Sequence, residues 1–210
     1  MSDFPPIDPS VVIWNLPEPE RAGKPLLVLL HGKGSNERDL PGLADRLPAG
    51  FAIASLRAPL RDGPGFSWFL VTASGSADSA TADPPADTVL AWIDSLPWTP
   101  PSIGILGFSQ GGVMALQALR REPERIAFAL NLSGFAVAGE EPGDDAIARH
   151  PVFWGRGDQD VVIPDWAIDR TQAWLPEHVA LTQRVYPGLG HSISLEELDD
   201  IAAFLRSRLA

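Results

Sequence analysis

A serine between an apolar run and an amphipathic segment is the residue of this sequence best suited to chemistry. Ser109 lies in Gly-Phe-Ser-Gln-Gly (107–111), which matches the G-x-S-x-G pattern of a nucleophile on a strand-to-helix turn. Residues 103–108 suit a buried strand, and Val113 and Leu116 follow at helical spacing. Amides at the start of that helix would favour the negative oxygen of an acyl-transfer transition state. The stretch predicts a nucleophile and half of an oxyanion site; a glycine-rich turn with an idle serine is the alternative.

The base that would activate Ser109 is sought among the histidines that follow it. A serine hydroxyl needs a base for its proton, and the base needs an anion that fixes its tautomer. Around a G-x-S-x-G turn the chain order is serine, acid, histidine. His150 precedes the candidate acid loop, and His178 lies between a helix and a strand at the opposite end of the sheet. His191 follows the last strand in a glycine-rich loop, so we predict it as the base rather than as a capping or core histidine.

Two aspartates compete for the role of the acid. Asp158 and Asp160 both follow the apolar strand that ends at residue 155. Asp158 comes directly after a glycine and is suited to closing the turn through its side chain. Asp160 lies further out, before the apolar residues 161–164 that would anchor the loop. We favour Asp160 as the acid and keep Asp158 as the alternative.

A second glycine-rich loop follows another buried run. Residues 26–30 are continuously apolar and lead into His31-Gly-Lys-Gly34. A strand that runs into an H-G-x-G loop is a second source of an oxyanion donor. The candidate donor is the backbone N–H of Lys33, whose ammonium is predicted to be solvated. His31 is predicted to order the loop rather than to take part in the chemistry.

Apolar runs alternate with helical periodicity along the chain. Strands are predicted at 11–16, 26–31, 51–56, 103–108, 126–132, 151–155 and 180–186. Helices are predicted from Asp39 to residue 47, over 87–96, after Ser109, around 166–174 and from 194 onward. Ser194 and Glu197 form a capping box for the last helix. In the helix before it, one face carries Trp166, Arg170, Ala173 and Trp174.

This alternation predicts an α/β fold with a mostly parallel, doubly wound sheet and helices on both faces. Functional sites of such sheets lie at the carboxyl ends of the strands. Ser109, Lys33, the loop with Asp160, and His191 each follow an apolar strand. The four are therefore expected at one edge of the sheet.

A long irregular segment separates two of the predicted elements. Residues 57–85 are rich in Ser, Ala, Asp and Gly, and loops of this length are usually functional or disordered. Trp68 and Phe69 are predicted to bind substrate as walls of an apolar acyl pocket, and packing that pins the loop to the body is the alternative. Residues 72–83 are predicted to be its mobile part. The segment is the one candidate for a lid, which would be minimal.

Composition limits the classes of function. The 210 residues have no internal repeat or domain-length linker, so one domain over 1–210 is predicted. Without Cys, thiol nucleophiles and disulfides are excluded. A net charge of −11, from 27 acids against 16 bases, argues against nucleic acid and acidic membranes as partners. The four histidines lie too far apart for a metal motif. With neither a basic, apolar leader nor an 18-residue apolar run, a cytoplasmic protein without membrane insertion is expected.

Four motifs in sequence order together resemble the phospholipase/carboxylesterase family of α/β-hydrolases, which includes the acyl-protein thioesterases. They are Gly-Phe-Ser-Gln-Gly-Gly (107–112), Leu-His-Gly-Lys-Gly (30–34), Gly-Asp-Gln-Asp-Val-Val-Ile-Pro (157–164) and Gly-His-Ser (190–192). The likeness runs from about residue 25 to the end of the sequence. It implies the α/β-hydrolase fold, a triad of Ser109, Asp160 and His191, and oxyanion amides at Lys33 and Gln110. The segment ending in Trp68-Phe69 resembles the family's loop beside the acyl site.

The residues and the resemblance lead to one prediction of function. We expect a serine carboxylesterase that hydrolyses small or short-chain acyl esters through an acyl-enzyme. No cofactor is implied, the partner is a small-molecule ester, and a homodimer is compatible with the sequence. An acyl-protein thioesterase, a lysophospholipase or a peptidase would share the machinery. From another class, a hydrolase fold with an idle site can serve as a binding module.

Overall fold

The computed structural model of the chain describes residues 4–70 and 77–209. In these ranges the strands are β1 (Ile13–Trp14), β2 (Leu26–Leu30), β3 (Ala52–Leu56), β4 (Leu60–Asp62), β5 (Gly65–Ser67), β6 (Ile103–Phe108), β7 (Phe128–Leu132), β8 (Pro151–Gly157) and β9 (Ala180–Tyr186). The helices are α1 (Ser79–Asp94), α2 (Gln110–Arg121), α3 (Asp165–His178) and α4 (Leu195–Arg206). Short 3-10 helices cover Pro9–Val11, Glu18–Glu20 and Pro41–Arg46.

Seven of the strands form one sheet in the order β1-β3-β2-β6-β7-β8-β9. Every pair in it is parallel except β1 with β3, which is antiparallel at one edge. All five residues of β2 are buried, which explains why its sequence is continuously apolar rather than alternating. The prediction of a mostly parallel sheet is therefore confirmed. Strands β4 and β5 form a separate antiparallel hairpin.

Helices cover both faces of the sheet, and each face buries its own apolar core. One core takes Val89 of α1, Leu116 of α2 and Leu175 of α3 against alternate residues of the strands. The other takes Leu198 and Leu205 of α4, together with apolar residues around the 3-10 helix Pro41–Arg46. Successive side chains of a strand lie on opposite faces of the sheet, so each buried strand contributes side chains to both cores. This places the carboxyl ends of β2, β6, β7 and β8 at one edge, where their loops meet.

Some predicted element boundaries are wrong, and prolines explain the clearest case. The helix predicted from Asp39 is a six-residue 3-10 helix, Pro41–Arg46. Pro48 follows it closely, and Leu47 before this proline is extended, with ψ 153°, because the residue before a proline is driven out of the helical region. The strand predicted at 11–16 is also shorter than expected, since it pairs with β3 only at Ile13 and Trp14.

The irregular segment predicted at 57–85 is shorter than expected. Its first part holds the β4–β5 hairpin, and α1 begins at Ser79 rather than near residue 87. Asp78 caps α1 by accepting a hydrogen bond from the amide of Thr81 at 2.9 Å. Buried Ala82 anchors this first part of α1. Of the stretch predicted to be mobile, 79–83 are therefore helical, and 72–76 lie outside the described residues.

Candidate active site

Ser109 occupies a backbone conformation that few residues other than glycine adopt. It lies between β6 and α2 with φ 54° and ψ −117°. Its amide donates to the carbonyl of Leu132, at the end of the neighbouring strand β7, at 2.7 Å. A Cβ on Gly107 would overlap the carbonyl of Gly111, and one on Gly111 would overlap that of Leu30. The glycines of the pentad are thus required for β2, β6 and α2 to approach around the serine.

The structure brings Ser109, His191 and Asp160 together. Nε2 of His191 lies 2.9 Å from Oγ of Ser109, and Nδ1 lies 2.7 Å from Oδ2 of Asp160. The other oxygen of Asp160 accepts from the amides of Val162 at 2.9 Å and Ile163 at 3.3 Å. The Asp160 side chain is 2% exposed and that of His191 is 17% exposed. The carboxylate is thereby fixed in place, while the imidazole remains accessible from one side.

Asp158 has a different position from Asp160. Its Oδ1 accepts from the amide of Gly188 at 2.7 Å. The backbone of Gln159 also donates to the carbonyl of Leu189, at 3.0 Å. These bonds join the loop after β8 to the loop after β9, which carries His191. The side chain of Asp158 therefore bonds to the loop after β9 rather than closing its own turn, and it holds together the two loops that carry Asp160 and His191.

Among the described residues, neither of the two amides predicted as oxyanion donors has a protein acceptor. Gln110 is the first residue of α2, where a backbone N–H has no acceptor within the helix. In the described part of the chain the amide of Lys33 has no acceptor, although the next amide, that of Gly34, donates to the carbonyl of Phe66 at 2.8 Å. The Lys33 ammonium is half exposed and pairs with Asp62 at 3.0 Å. It is therefore less free than the sequence suggested.

His31 orders the loop that carries Lys33. The ring is fully buried; Nδ1 donates to the carbonyl of Gly32 at 2.7 Å, and Nε2 accepts from the amide of Ala58 at 3.1 Å. This pair of bonds assigns the neutral tautomer with its proton on Nδ1. Burial lowers the pKa of His31, which keeps the ring neutral. The structural role predicted for this histidine is confirmed.

Trp68 and Phe69 do not line an open pocket as predicted. They are 0% and 3% exposed, and the indole N–H of Trp68 donates to the carbonyl of His31 at 2.8 Å. The side chain of Gln110 accepts from the amide of Trp68 at 2.8 Å and donates to the carbonyl of Phe69 at 2.7 Å. The substrate-binding role is corrected to packing, because these bonds fix the segment to both elements that carry the candidate oxyanion amides. The next residue, Leu70, is 69% exposed.

Glu197 is a buried acid that the sequence analysis treated only as part of a capping box. Its amide donates to Ser194 Oγ at 3.0 Å, but both carboxyl oxygens are buried without a partner among the described residues. Burial, with a smaller contribution from the negative charge of Asp200, raises the pKa of Glu197 to about 7. A signal was present in the sequence, since Glu197 shares its helix face with Ile201 and Leu205. The reciprocal contact of the predicted capping box, from the Ser194 amide to the Glu197 carboxyl, is too weak to satisfy the carboxyl oxygens, although it offsets part of the rise in the pKa of Glu197.

Neither a metal cluster nor a membrane span is found in the part of the chain that the structure describes. Residues 4–70 and 77–209 contain no group of three His, Asp or Glu side chains placed to hold a metal ion. None of the helices in these ranges combines the length and the apolar character that crossing a bilayer requires.

Comparison with known proteins identifies the class of protein that carries this site. A model of the phospholipase/carboxylesterase family matches residues 68–209. The chain belongs to this family, and its fold is the α/β-hydrolase fold predicted from the sequence. The matched region includes Ser109, Asp160 and His191, whereas Lys33 lies outside it.

Particular relatives are thioesterases and carboxylesterases by name. The chain is 34% identical over 119 residues to acyl-protein thioesterase 1 of Kluyveromyces lactis, covering 53% of this chain and 52% of that protein. It is 30% identical over 119 residues to carboxylesterase SOBER1 of Arabidopsis thaliana, covering 52% and 50%. The chain spans about half the length of these curated relatives. The crystal structure of esterase PE8 matches with a TM-score of 0.73 and 29% identity, covering 97% of this chain and 98% of that one.

Proposed function

We propose that the protein is a serine carboxylesterase with Ser109 as nucleophile, His191 as general base and Asp160 as the acid that orients His191. The observation that carries the proposal is the pair of contacts of one imidazole, 2.9 Å to a serine hydroxyl and 2.7 Å to a carboxylate. A base within hydrogen-bond reach of the nucleophile, itself oriented by an anion, is the arrangement that activates a serine. The binding-module alternative needs no such arrangement.

Acylation follows from this geometry. Nε2 of His191 takes the proton of the Ser109 hydroxyl as Oγ bonds to the carbonyl carbon of the ester. The carbonyl oxygen becomes an oxyanion, which the amides of Lys33 and Gln110 stabilise as donors. The imidazolium, stabilised by Asp160, then returns the proton to the departing alkoxide. An alcohol leaves and the acyl group remains on Ser109.

Deacylation repeats these steps with water. His191 takes a proton from a water molecule as its oxygen attacks the acyl carbon, and the same two amides hold the second oxyanion. Collapse breaks the bond to Ser109 Oγ, which regains its proton from the imidazolium. A carboxylic acid leaves. Each step is served by side chains and amides of this chain, so we propose no cofactor.

We propose small or short-chain acyl esters as substrates. Buried Trp68 and Phe69 fill the space beside Gln110, which favours short acyl groups over long ones. A thioesterase is the second candidate, favoured by the likeness to a protein named acyl-protein thioesterase 1. Comparing 4-nitrophenyl esters with matched acyl thioesters of two to twelve carbons separates the two. A cytoplasmic location and a homodimer stay predictions.

Replacing Ser109 by Ala tests the proposed function. Turnover of 4-nitrophenyl acetate and butyrate should fall on the order of 10⁶-fold, because the nucleophile is removed. A fluorophosphonate probe should label the parent protein and leave Ser109→Ala unlabelled. Ser192→Ala, at an exposed serine beside His191, is the matched control and should retain both properties. Full activity in Ser109→Ala, with an unchanged circular dichroism spectrum, would refute the assignment.

A further inference from the structure

The loop that carries Lys33 packs directly on the hairpin of β4 and β5. The amide of Gly34 donates to the carbonyl of Phe66 at 2.8 Å, and the amide of Phe66 donates to the carbonyl of Ser35 at 2.8 Å. Ser35 and Phe66 thereby form an antiparallel bridge. A Cβ on Gly65 would overlap the carbonyl of Gly34, so this position of β5 requires glycine for the close approach. The hairpin is therefore in a position to act on the loop.

Backbone hydrogen bonds hold the residues on either side of Lys33, but not Lys33 itself. The carbonyl of Gly32 accepts from Nδ1 of His31 at 2.7 Å and from the amide of Ser35 at 3.2 Å. The amide of Gly34 is bonded to the hairpin. Within the described ranges, neither the N–H nor the carbonyl of Lys33 has a hydrogen-bond partner. Any further restraint on this residue, whose N–H is the proposed oxyanion donor, therefore comes from its side chain.

The side chain of Lys33 is held by a carboxylate of the hairpin. Nζ of Lys33 lies 3.0 Å from Oδ2 of Asp62, the last residue of β4. The same oxygen accepts from Oγ of Ser67, which is fully buried, at 2.6 Å. The hydrogen bond from Ser67, with a smaller contribution from Lys33, holds the pKa of Asp62 below its usual value, so the carboxylate is ionised at neutral pH. Asp62 thus joins the hairpin to the one side chain of the Gly-Lys-Gly tripeptide at 32–34.

We propose that Asp62 is a positioning residue that fixes the backbone amide of Lys33 through the Lys33 ammonium. The carboxylate acts on Lys33 and not on the ester. A donor that is already aimed at the developing charge needs no reorganisation when the oxyanion forms, so restraint of the Lys33 amide favours the transition state. The effect on the reaction rests on the proposed esterase function, whereas the restraint itself does not.

Asp62→Asn tests the proposal through the direction of the change in kcat. The variant keeps the shape of the side chain and loses its charge. The value of kcat for 4-nitrophenyl butyrate should fall roughly two- to fivefold with KM little changed, because a half-exposed ion pair contributes little and its loss affects the oxyanion rather than the bound ester. Affinity for a trifluoromethyl ketone inhibitor should fall by a similar factor.

A second ion pair of the surface provides the matched control. Asp94 is paired with Arg125 at 2.6 Å, and its carboxylate is more exposed than that of Asp62. Asp94→Asn should therefore keep the kcat, the KM and the inhibitor affinity of the parent. A rise in kcat for Asp62→Asn would overturn the proposal, because it would mean that the ammonium stabilises the oxyanion directly once Asp62 no longer holds it.

A double-mutant cycle with Lys33→Met shows whether Asp62 acts through Lys33. Once the ammonium is removed, Asp62→Asn should have no further effect on kcat, because the connection is already broken. Lys33→Arg keeps a cation that can reach the carboxylate and should retain most of the parent kcat. Losses in kcat that simply add in the double variant would refute the proposal, since the two side chains would then act independently.

Nuclear magnetic resonance measures the restraint without reference to catalysis. The amide order parameter of Lys33 should be near about 0.85 in the parent, as in rigid backbone, and lower in both Asp62→Asn and Lys33→Met. That of Gly34, which is bonded to Phe66, should stay at the parent value in both variants. An unchanged order parameter at Lys33 would refute the restraint, whatever the kinetics.

Failure of this proposal and failure of the proposed function give different results. If Ser109→Ala retains turnover, the esterase assignment fails, and the order parameters still decide on the restraint. If the order parameter of Lys33 falls while kcat and inhibitor affinity are unchanged, Asp62 does not position an oxyanion donor, and the proposal is overturned. Melting curves check the folding of each variant. Should Asp62→Asn not fold, Lys33→Met serves for the measurement of the restraint.

Discussion

At the scale of residues, the loop after β8 divides two tasks between two aspartates. Asp160 reaches His191, and Asp158 binds the amide of Gly188. An amide side chain in place of Asp160 would present an N–H or a neutral oxygen to Nδ1, so the imidazole would lose the anion that fixes its tautomer. An amide in place of Asp158 still offers an oxygen to the amide of Gly188.

These two positions give a matched pair of variants. Asp160→Asn should lower kcat for 4-nitrophenyl butyrate on the order of 10⁴-fold. Asp158→Asn should cost much less, since its bond to the loop is retained. The measurement is steady-state kinetics at one pH, with melting temperatures to check folding. Equal losses in the two variants would contradict the assignment of Asp160.

The sequence predicted the site residues that follow strands, but it did not predict properties that depend on the three-dimensional neighbours of a side chain. Ser109 and His191 could be predicted because a motif and a chain order place them after apolar strands. The choice between Asp158 and Asp160 stayed open, since both follow the same strand. The burial of Glu197 had a signal on its helix face, but the hydrogen bonding of its carboxyl could not be predicted, because it depends on what packs around the side chain in three dimensions.

At the scale of elements, the hairpin of β4 and β5 braces the two amides proposed as oxyanion donors. The carbonyl of Phe66 accepts from Gly34 in the Lys33 loop, and the indole of Trp68 donates to His31 at the start of that loop. The backbone after β5 is bound in turn by the side chain of Gln110, at the start of α2. We therefore infer that this segment sets the separation between the two amides.

Trp68→Phe tests this inference because it keeps a buried ring and removes one N–H. We expect kcat to fall roughly tenfold with KM little changed, since a displaced amide affects the oxyanion and not the bound ester. Affinity for a trifluoromethyl ketone inhibitor should fall in parallel. Trp98→Phe is the control, because the indole N–H of Trp98 has no partner among the described residues. Parallel changes in both variants would mean a loss of packing alone.

The sequence predicted the central strands well, but it did not predict where the helix after the β4–β5 hairpin begins. The apolar runs defined β2, β3, β6 and β7 to within a few residues, because buried parallel strands have no competing pattern. The start of α1 was missed, since Pro84 and Pro85 lie inside the helix and were interpreted as its boundary. Packing of Ala82 and Ala86 against the core outweighs the local preference there.

At the scale of the whole molecule, Glu197 makes the stability of the fold depend on pH. The folded pKa of about 7 lies above the ordinary value of 4.5. Below pH 4.5 both states carry the proton. As pH rises from 4.5 to 7 the unfolded chain releases it and the folded protein retains it, so stability falls. Above pH 7 both states are ionised, and the loss, on the order of 3 kcal/mol, is complete.

Urea unfolding at several values of pH measures this effect. The free energy of unfolding of the parent minus that of Glu197→Gln should decrease between pH 4.5 and 7 and be constant above it. Glu196→Gln, at the exposed acid next in the chain, should give a difference that does not change over this range. A constant difference for Glu197→Gln would show that its carboxyl is not buried as described.

The backbone at residue 109 has a consequence for the evolution of such a chain. Ser109 and Ser133 are the two non-glycine residues with positive φ in the described ranges, and conformations of this kind cost on the order of 1–3 kcal/mol each. Glycine at position 109 would relieve that cost while removing the proposed nucleophile. Selection for folding alone would therefore favour glycine over serine at this position.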